Sequence, residues 1–229
     1  MSAIWGPESI LFQIMSTCLS ALFQFSSAIG FPNYGVAIII LTILIKTLLF
    51  PLTYKQMSSM RRMVDLQPQM KAIQEKYKNN KEKANAAIMK LYKDNNVNPL
   101  GGCLPLLVQL PIFIALYQTL FHYPFHEYPE SVYTFLTFDL TVSYGFALSY
   151  HLILPILAAA TTYLQTKAIN PNSTDPTQKI LLYAMPVFIA YISATVPSGL
   201  ALYWITMNIV SIFQQLFINY SIKKANAAA

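Results

Sequence analysis

The sequence predicts an all-α integral membrane protein with five transmembrane helices, an amphipathic helix before them and a charged helical hairpin after the first. Hydrophobic residues make up 55% of the 229 positions and charged residues only 10%, whereas a soluble domain has about 25% charged residues. Five apolar runs approach the roughly 20 residues that a helix needs to cross a bilayer. Segments rich in Lys and Arg alternate with segments that lack them, as the topology of a multi-pass protein requires.

The first segment, residues 1–31, is predicted to be an amphipathic helix at the outer membrane surface. Between positions 9 and 29, apolar residues recur at helical spacing and uncharged polar residues fall mostly on the opposite face. Such a helix suits the interface better than the bilayer interior. A membrane-spanning helix is the alternative, but it would place an amino terminus without basic residues in the cytoplasm. We expect no signal peptide, because no basic region or small-residue cleavage site is present.

Residues 32–54 form the first predicted span, which contains one charged residue, Lys46. Lys46 lies seven residues before Thr53, where polar sequence resumes, or about 10 Å along a helix. A charge at the centre of a membrane helix costs roughly 2.5–3.5 kcal/mol and usually faces protein or water. We therefore predict that Lys46 faces a hydrated interior. The alternative is that its long side chain extends along lipid to the nearer interface.

Residues 55–98 are predicted to form a cytoplasmic helical hairpin. Counted from Thr53, this region holds ten basic and four acidic residues, a net charge of +6. Because this charge lies beside a membrane span, it does not indicate a nucleic-acid-binding protein. Apolar residues recur at helical spacing on both sides of the polar break at 78–81, which predicts two arms with a thin apolar seam. Pro68 is expected to bend the first arm.

Residues 99–229 supply the other four predicted spans, each 17 to 21 residues long and therefore short for a bilayer. These runs are Leu104–Phe121, Gly145–Gln165, Ile180–Val196 and Leu200–Ile218. With five spans, all the basic segments fall on one side, which the positive-inside rule makes cytoplasmic. The amino terminus is then outside and the carboxyl terminus inside. Cys18 and Cys103 would lie on opposite faces, so no disulfide is expected.

Polar residues inside the spans predict a groove rather than an active site. We expect no catalytic residue, cofactor or metal, since the sequence has no phosphate-binding loop or zinc-ligand cluster and its three histidines fall at the outer face. Residues four and three apart share one helix face, so a polar stripe on the last span can oppose Lys46. Ordinary interhelical hydrogen bonds, worth under about 1 kcal/mol each, are the alternative. The predicted groove residues are Lys46, Thr42, Gln109, Gln165, Trp204, Asn208, Ser211 and Gln215.

Three motifs, in this order, resemble the YidC/Oxa1/Alb3 family of membrane protein insertases. They are Phe50-Pro51-Leu52-Thr53, Asn98-Pro99-Leu100-Gly101-Gly102-Cys103-Leu104-Pro105 and Pro197-Ser198-Gly199-Leu200-Ala201-Leu202-Tyr203-Trp204. The resemblance extends from about Pro32 to Lys224, and it is to the bacterial branch in a short form without the large periplasmic domain. It implies a five-helix core around a hydrophilic groove that is open to the cytoplasm and to lipid but closed outside.

The resemblance also implies a function and partners. The groove cation would attract the acidic or polar outer segment of a nascent, single-spanning membrane protein, whose apolar helix then passes between the first and fifth spans into the bilayer. The hairpin would receive the substrate first, and the ribosome, the signal recognition particle pathway and the Sec translocon are possible partners. The protein would be a multi-pass component of the bacterial plasma membrane, would act as a monomer without binding nucleic acid, and would not be an enzyme.

Two departures from the family pattern stand out. The usual groove cation is arginine, whereas this sequence has Lys46, which keeps the charge without the bidentate grip on a carboxylate. The tail after Tyr220 lacks the basic ribosome-contacting extension of some relatives. A small secondary transporter or channel that uses Lys46 as a substrate or gating charge is the alternative function, although the chain shows no internal repeat. A purely structural scaffold is a third interpretation.

Overall fold

A computed structural model describes residues 9–95, 97, 104–146, 149–169 and 176–227. Most of these residues are helical, which confirms the prediction of a helical membrane protein. The helices are α1 (Ile10–Ala28), α2 (Tyr34–Leu48), α3 (Phe50–Asp65), α4 (Gln67–Lys76), α5 (Lys81–Asp94), α6 (Leu104–His122), α7 (Glu130–Tyr133), α8 (Ile153–Ile169), α9 (Pro176–Thr195) and α10 (Ser198–Ala227). Two strands, β1 (Thr134–Phe135) and β2 (Phe138–Asp139), form an antiparallel pair.

The last helix, α10, organises the bundle, because it packs against α2, α6, α8 and α9. Large apolar side chains point outward from these helices, including Ile156, Val187 and Phe213, which are 62%, 70% and 67% exposed. Apolar surface on this scale marks contact with lipid rather than with water. The chain is therefore a multi-pass membrane protein.

Three helices of the described part are long and apolar enough to cross a membrane: Ile10–Ala28, Tyr150–Ile169 and Ser198–Ser221. The bent pair formed by α2 and α3 is a fourth candidate. The apolar segments Val108–His122 and Leu182–Thr195 are shorter than that test requires. The count of five spans and the orientation of the termini remain predictions.

The first predicted span is broken where the sequence contains Pro51. Helix α2 ends at Leu48, α3 begins at Phe50, and the two axes differ by 63°. Proline has no N–H to donate to the carbonyl four residues earlier, and its ring crowds that carbonyl, so a continuous helix is disfavoured here. The break turns the face of α3 that carries Gln56 and Met57 toward the bundle, where both side chains are buried.

Helix α1 runs across the ends of α2 and α6. The Ser9 hydroxyl donates to Gln118 Oε1 at 3.1 Å, and the Ser20 and Tyr123 hydroxyls are 2.9 Å apart. The two contacts are eleven residues apart along α1, which is about 16 Å of helix. Their partners at the end of α6 are only five residues apart, which is about 7 Å. Two helices lying side by side would keep equal spacings, so α1 crosses the end of α6 at an angle. For α1, a position at the membrane surface remains a prediction. Its length alone would also allow a span.

Helices α4 and α5 pack against each other as two arms of a hairpin. The first arm breaks at Leu66, two residues before Pro68. The buried Leu66, Tyr92 and Val97 form a seam, and the Tyr92 hydroxyl lies 3.1 Å from Met70 Sδ. Met57, which lies in the segment 55–98 predicted as the hairpin, instead lines the cavity described below. The hairpin thus begins at Leu66, and α3 belongs with the helix bundle.

A small β-hairpin at residues 134–139, which the sequence did not predict, covers one end of the helical bundle. Asn33 caps α2 by accepting from the Gly35 N–H at 2.8 Å, and its side-chain amide donates to the Ser131 and Thr134 carbonyls at 3.1 and 2.8 Å. The ring of Phe135 lies directly against Gly35, where a Cβ would be 2.6 Å from Phe135 Cβ. Glycine is therefore required for this close approach.

Several helix boundaries also differ from the predicted runs, and two of the differing starts have a local cause. The third apolar helix begins at Ile153, because Gly145 takes a left-handed conformation (φ +65°) and a short 3-10 turn, Tyr150–Leu152, precedes the helix. The last helix begins at Ser198, whose N–H donates to the Val142 carbonyl. A helix can start there because the loop accepts hydrogen bonds from its first turn. Residues 98–103, which hold most of the second family motif, lie outside the described residues.

Candidate functional site

A cavity of about 450 Å³ lies between α2, α3, α6, α8, α9 and α10. Five of the predicted groove residues line it: Lys46, Gln109, Gln165, Trp204 and Ser211. They come from four different helices, so the fold brings together side chains that are up to 165 positions apart in the sequence. Their convergence on one cavity is what a groove requires, and the residues alone could not show it.

Lys46 is the cation of this cavity. It occupies the last turn of α2, two residues before that helix ends at the break, and its side chain is partly buried. Within the described part of the chain, no acidic residue pairs with its amine. The Lys46 main-chain carbonyl accepts a hydrogen bond of 3.0 Å from Gln214 Nε2. Helix α10 therefore fixes the backbone of Lys46, which lines the cavity.

Three predicted groove residues do not line the cavity. Thr42 is 1% exposed, and its hydroxyl donates to the Ile38 carbonyl of its own helix at 2.6 Å. Asn208 is fully buried, and its amide donates to the hydroxyls of Thr161 and Thr162 at 3.1 and 2.9 Å. Gln215, at 3% exposed, donates to Asn219 Oδ1 at 2.9 Å. These side chains serve the helices and their contacts rather than the cavity.

For Asn208, the reason is the rotation of α10. At about 100° per residue, Asn208 is turned about 40° from Trp204 in one direction and Ser211 about 20° in the other. Trp204 and Ser211 face the cavity, whereas Asn208 faces α8. Residues spaced four and three apart therefore form a stripe on α10 that is wide enough for one edge to face the cavity and the other to face α8.

The cavity wall is more apolar than the sequence predicted. Leu110, Phe113, Ile192 and Met207 contribute to it, and the rings of Phe113 and Trp204 meet edge to face with centroids 5.7 Å apart. Polar groups are spaced along this wall. One of them, Gln109 on α6, donates a hydrogen bond to the hydroxyl of Tyr203, which lines the cavity from α10. The arrangement offers hydrogen bonds and one positive charge against a hydrocarbon background.

Two further polar residues of the cavity, Thr53 and Gln56, were missed by the sequence reasoning. Gln56 was missed because the sequence assigned the residues after position 54 to the hairpin, where polar side chains are expected. Thr53 was missed because it was taken only as the point where polar sequence resumes after the first span. Their spacing of three residues, with the apolar Met57 beside them, was the signal that this turn has a buried face. Gln214, which binds the Lys46 carbonyl, was also missed, because it lies outside the 204–208–211–215 stripe.

Comparisons with known proteins agree with this architecture. The family model of the 60Kd inner membrane protein matches residues 15–225. The membrane protein insertase YidC of Pelobacter propionicus is 45% identical over 199 residues, which cover 82% of this chain and 35% of that protein. That of Helicobacter pylori is 42% identical over 202 residues, covering 88% of this chain and 34% of that protein. The chain thus spans about a third of the length of these curated relatives.

A solved structure has the same fold. It is described as an active YidC insertase crystal structure with the first transmembrane domain resolved, and it matches with a TM-score of 0.67 and 29% identity over 87% of this chain and 45% of that one. The family match includes every residue of the cavity. The resemblance that the three sequence motifs suggested is therefore confirmed, and the chain belongs to the 60Kd inner membrane protein family, whose curated members include the YidC insertases.

Proposed function

We propose that this protein is a membrane protein insertase, which guides the hydrophilic outer segment of a nascent membrane protein through the cavity and releases the apolar helix into the bilayer. The observation that carries the proposal is Lys46, a cation without an acidic partner in the described residues, which faces a cavity at the centre of a helix bundle. A relative's name supports the same activity. Clients with acidic outer segments fit best, because a carboxylate about 5 Å from Lys46 gains roughly 3 kcal/mol at an effective dielectric of 20.

The energetics of the proposed reaction need no covalent chemistry. Apolar residues favour the bilayer by about 0.3–0.6 kcal/mol each, so a span of about 20 residues gains about 6–12 kcal/mol on insertion. One acidic residue at the bilayer centre costs about 2.5–3.5 kcal/mol on the same scale. Burial of the client helix can therefore outweigh the transfer of a few polar residues. The role of the cavity is to lower the free-energy barrier for moving those polar residues across the bilayer.

The proposed orientation places the amino terminus outside and the hairpin and the carboxyl terminus in the cytoplasm. The exposed lysines of α4 and α5, including Lys71, Lys76 and Lys90, would then lie on the side where clients are synthesised. We propose that the hairpin receives the client before the cavity does. The client helix would leave between α2 and α10, and lipid is its final partner.

Insertion by the purified protein tests this function. The protein is reconstituted into lipid vesicles, a single-spanning client with an acidic outer segment is added, and protease protection of that segment is measured. We expect protection only in vesicles that contain the protein, with ion flux at the background of empty vesicles. Ion flux without protection would favour the channel alternative, and the absence of both would leave a structural scaffold; either result overturns the proposal.

A photocrosslinking residue at position 204 is expected to capture the client during insertion, because the Trp204 side chain lines the cavity. The matched control is position 44, where Leu44 is 53% exposed on the outward face of α2 and should crosslink mainly to lipid. Crosslinked products are identified by mass spectrometry of stalled insertion intermediates. Equal capture of the client from both positions would mean that it does not enter the cavity.

A further inference from the structure

A second pocket lies at the end of α2 opposite the break, between the turn that precedes α2 and the segment that joins α7 to β1. This end pocket has a volume of about 410 Å³, and most of its wall is apolar: Phe31, Pro32, Val36, Val132 and Phe135. Asn33 also borders it, but its amide already donates to the carbonyls of Ser131 and Thr134. Both amide hydrogens of Asn33 are thus used, and the end pocket suits a hydrocarbon chain better than a polar one.

The surroundings of the end pocket carry apolar side chains in an arrangement that water disfavours. Phe31 is 62% exposed, and Leu136, which follows Phe135 in the chain, is 77% exposed. Leu136 is a turn residue between β1 and β2, and its φ of 56° lies in the left-handed region. Glycine and asparagine are the usual residues in such a turn, whereas leucine is strained there. Contact with hydrocarbon would bury this side chain and so offset the strain.

The distance along α2 places the end pocket at the depth of the lipid chains. Tyr54 and Tyr220 are 38% and 67% exposed, and exposed tyrosines are enriched at the membrane interface. The ring of Phe50 lies 6.3 Å from that of Tyr54, so Phe50 is close to this interface. Val36 precedes Phe50 by 14 residues, which is about 21 Å of helix. Since the hydrocarbon core is about 30 Å thick, the end pocket lies inside it.

The end pocket is also continuous with the lipid-facing side of α2. Val36 lines the pocket, and Ile40 and Ile43 follow it on the same face of the helix. Ile43 and its neighbour Leu44 are 43% and 53% exposed. Exposed apolar surface on a membrane helix marks contact with lipid. A lipid chain that lies along this face can therefore enter the end pocket.

We propose that the end pocket binds an acyl chain of a membrane phospholipid, and that the turn between β1 and β2 enters the hydrocarbon with Leu136 at its tip. The site is separate from the cavity that Lys46 lines, and it goes beyond the proposed insertase function. The ring of Phe135 lies directly against Gly35, which attaches the turn to α2. A lipid bound beside this contact holds α2 at a defined depth in the bilayer.

Fluorescence quenching measures the depth of the turn. The environment-sensitive dye NBD is attached to Leu136→Cys in a protein that also carries Cys18→Ser and Cys103→Ser, and the protein is reconstituted into phosphatidylcholine vesicles. The control is Glu127→Cys, at an exposed position near the same end of α2. We expect phospholipid with a doxyl group on its acyl chain to quench position 136 at least about twofold more than position 127. Aqueous iodide should quench chiefly position 127. Equal quenching of both positions by iodide would overturn the proposal.

Photolabelling tests whether an acyl chain occupies the end pocket. A phospholipid with a diazirine on its acyl chain is activated in the vesicles, and the labelled residues are identified by mass spectrometry. We expect label at Phe31 and Val132, and loss of most label at Phe31 in the Val132→Trp protein, whose larger side chain fills the pocket. Label at Leu44 should not change. Val36→Phe fills the pocket from its other wall and replaces Val132→Trp if thermal unfolding shows that variant to be misfolded.

Two results of the photolabelling would contradict the proposal. Label at Phe31 that persists when the pocket is filled would mean that lipid touches only its surface. Absence of label there, with crosslinked dimers from a photoreactive residue at position 136, would mean that a second copy of the chain covers the pocket. No client is present in these vesicles, so a failure of the proposed insertase function would leave both measurements unchanged.

Discussion

The Lys46→Glu protein is expected to lose insertion of clients with acidic outer segments by more than about 100-fold. At about 5 Å and an effective dielectric of 20, an attraction of roughly 3 kcal/mol becomes a repulsion of similar size. Lys46→Arg should retain activity, because the cavity volume of about 450 Å³ has room for the larger guanidinium and the charge is kept. Initial rates of protease protection in vesicles measure both variants.

The control for this prediction is a client whose outer segment is uncharged. Charge reversal turns an attraction into a repulsion only for carboxylates, so insertion of that client should fall by less than about threefold. Wild-type rates for Lys46→Glu on the acidic client would contradict a role for the cavity cation. The long reach of lysine to the membrane interface would then be the better interpretation of this residue.

Gly35→Val is expected to lower the free energy of unfolding by about 2–3 kcal/mol. A Cβ at position 35 would lie 2.6 Å from Phe135 Cβ, which belongs to strand β1 and cannot move without displacing the backbone. The helix and the outer loop must therefore separate. Thermal unfolding in detergent, followed by loss of the monomer peak in size-exclusion chromatography, measures the effect.

Two variants make the Gly35 prediction specific. In a Phe135→Gly background the clash is absent, so Gly35→Val should cost at least about 1 kcal/mol less than it does in the wild-type protein. At Gly30, nothing lies within 4 Å and φ is +92°, a conformation that asparagine tolerates better than other side chains. Gly30→Asn should therefore be close to neutral. A cost for Gly35→Val that does not depend on Phe135 would show that the close approach is unimportant.

The sequence was sufficient for features that depend on local composition. Apolar length located the main helices, and the isolated charge of Lys46 pointed to a residue that lines the cavity, whereas the break at Pro51 was not predicted. Each of these signals acts within a few residues of its effect. The family motifs then supplied the expectation of a common cavity, which the converging residues agree with.

What the sequence could not supply depends on rotation and on distant contacts. Asn208 was predicted to face the groove, but a turn of about 40° on the helix directs it to α8. Gln56 was assigned to the hairpin because the sequence did not predict that α3 turns back toward the bundle. The direction of α3 depends on the angle at the break, which is set by packing rather than by composition. The contact between Gly35 and Phe135 joins residues a hundred positions apart, and no periodicity records it.

The hydrogen bonds of α10 have a consequence for how the protein itself is made. Its first turn binds the loop at Leu140 and Val142, Asn208 binds α8, and Gln214 binds the end of α2. All of these partners precede α10 in the chain, so during translation they leave the ribosome with their final neighbour still missing. During its own synthesis, the bundle therefore stays incomplete in the membrane until α10 has been translated and inserted.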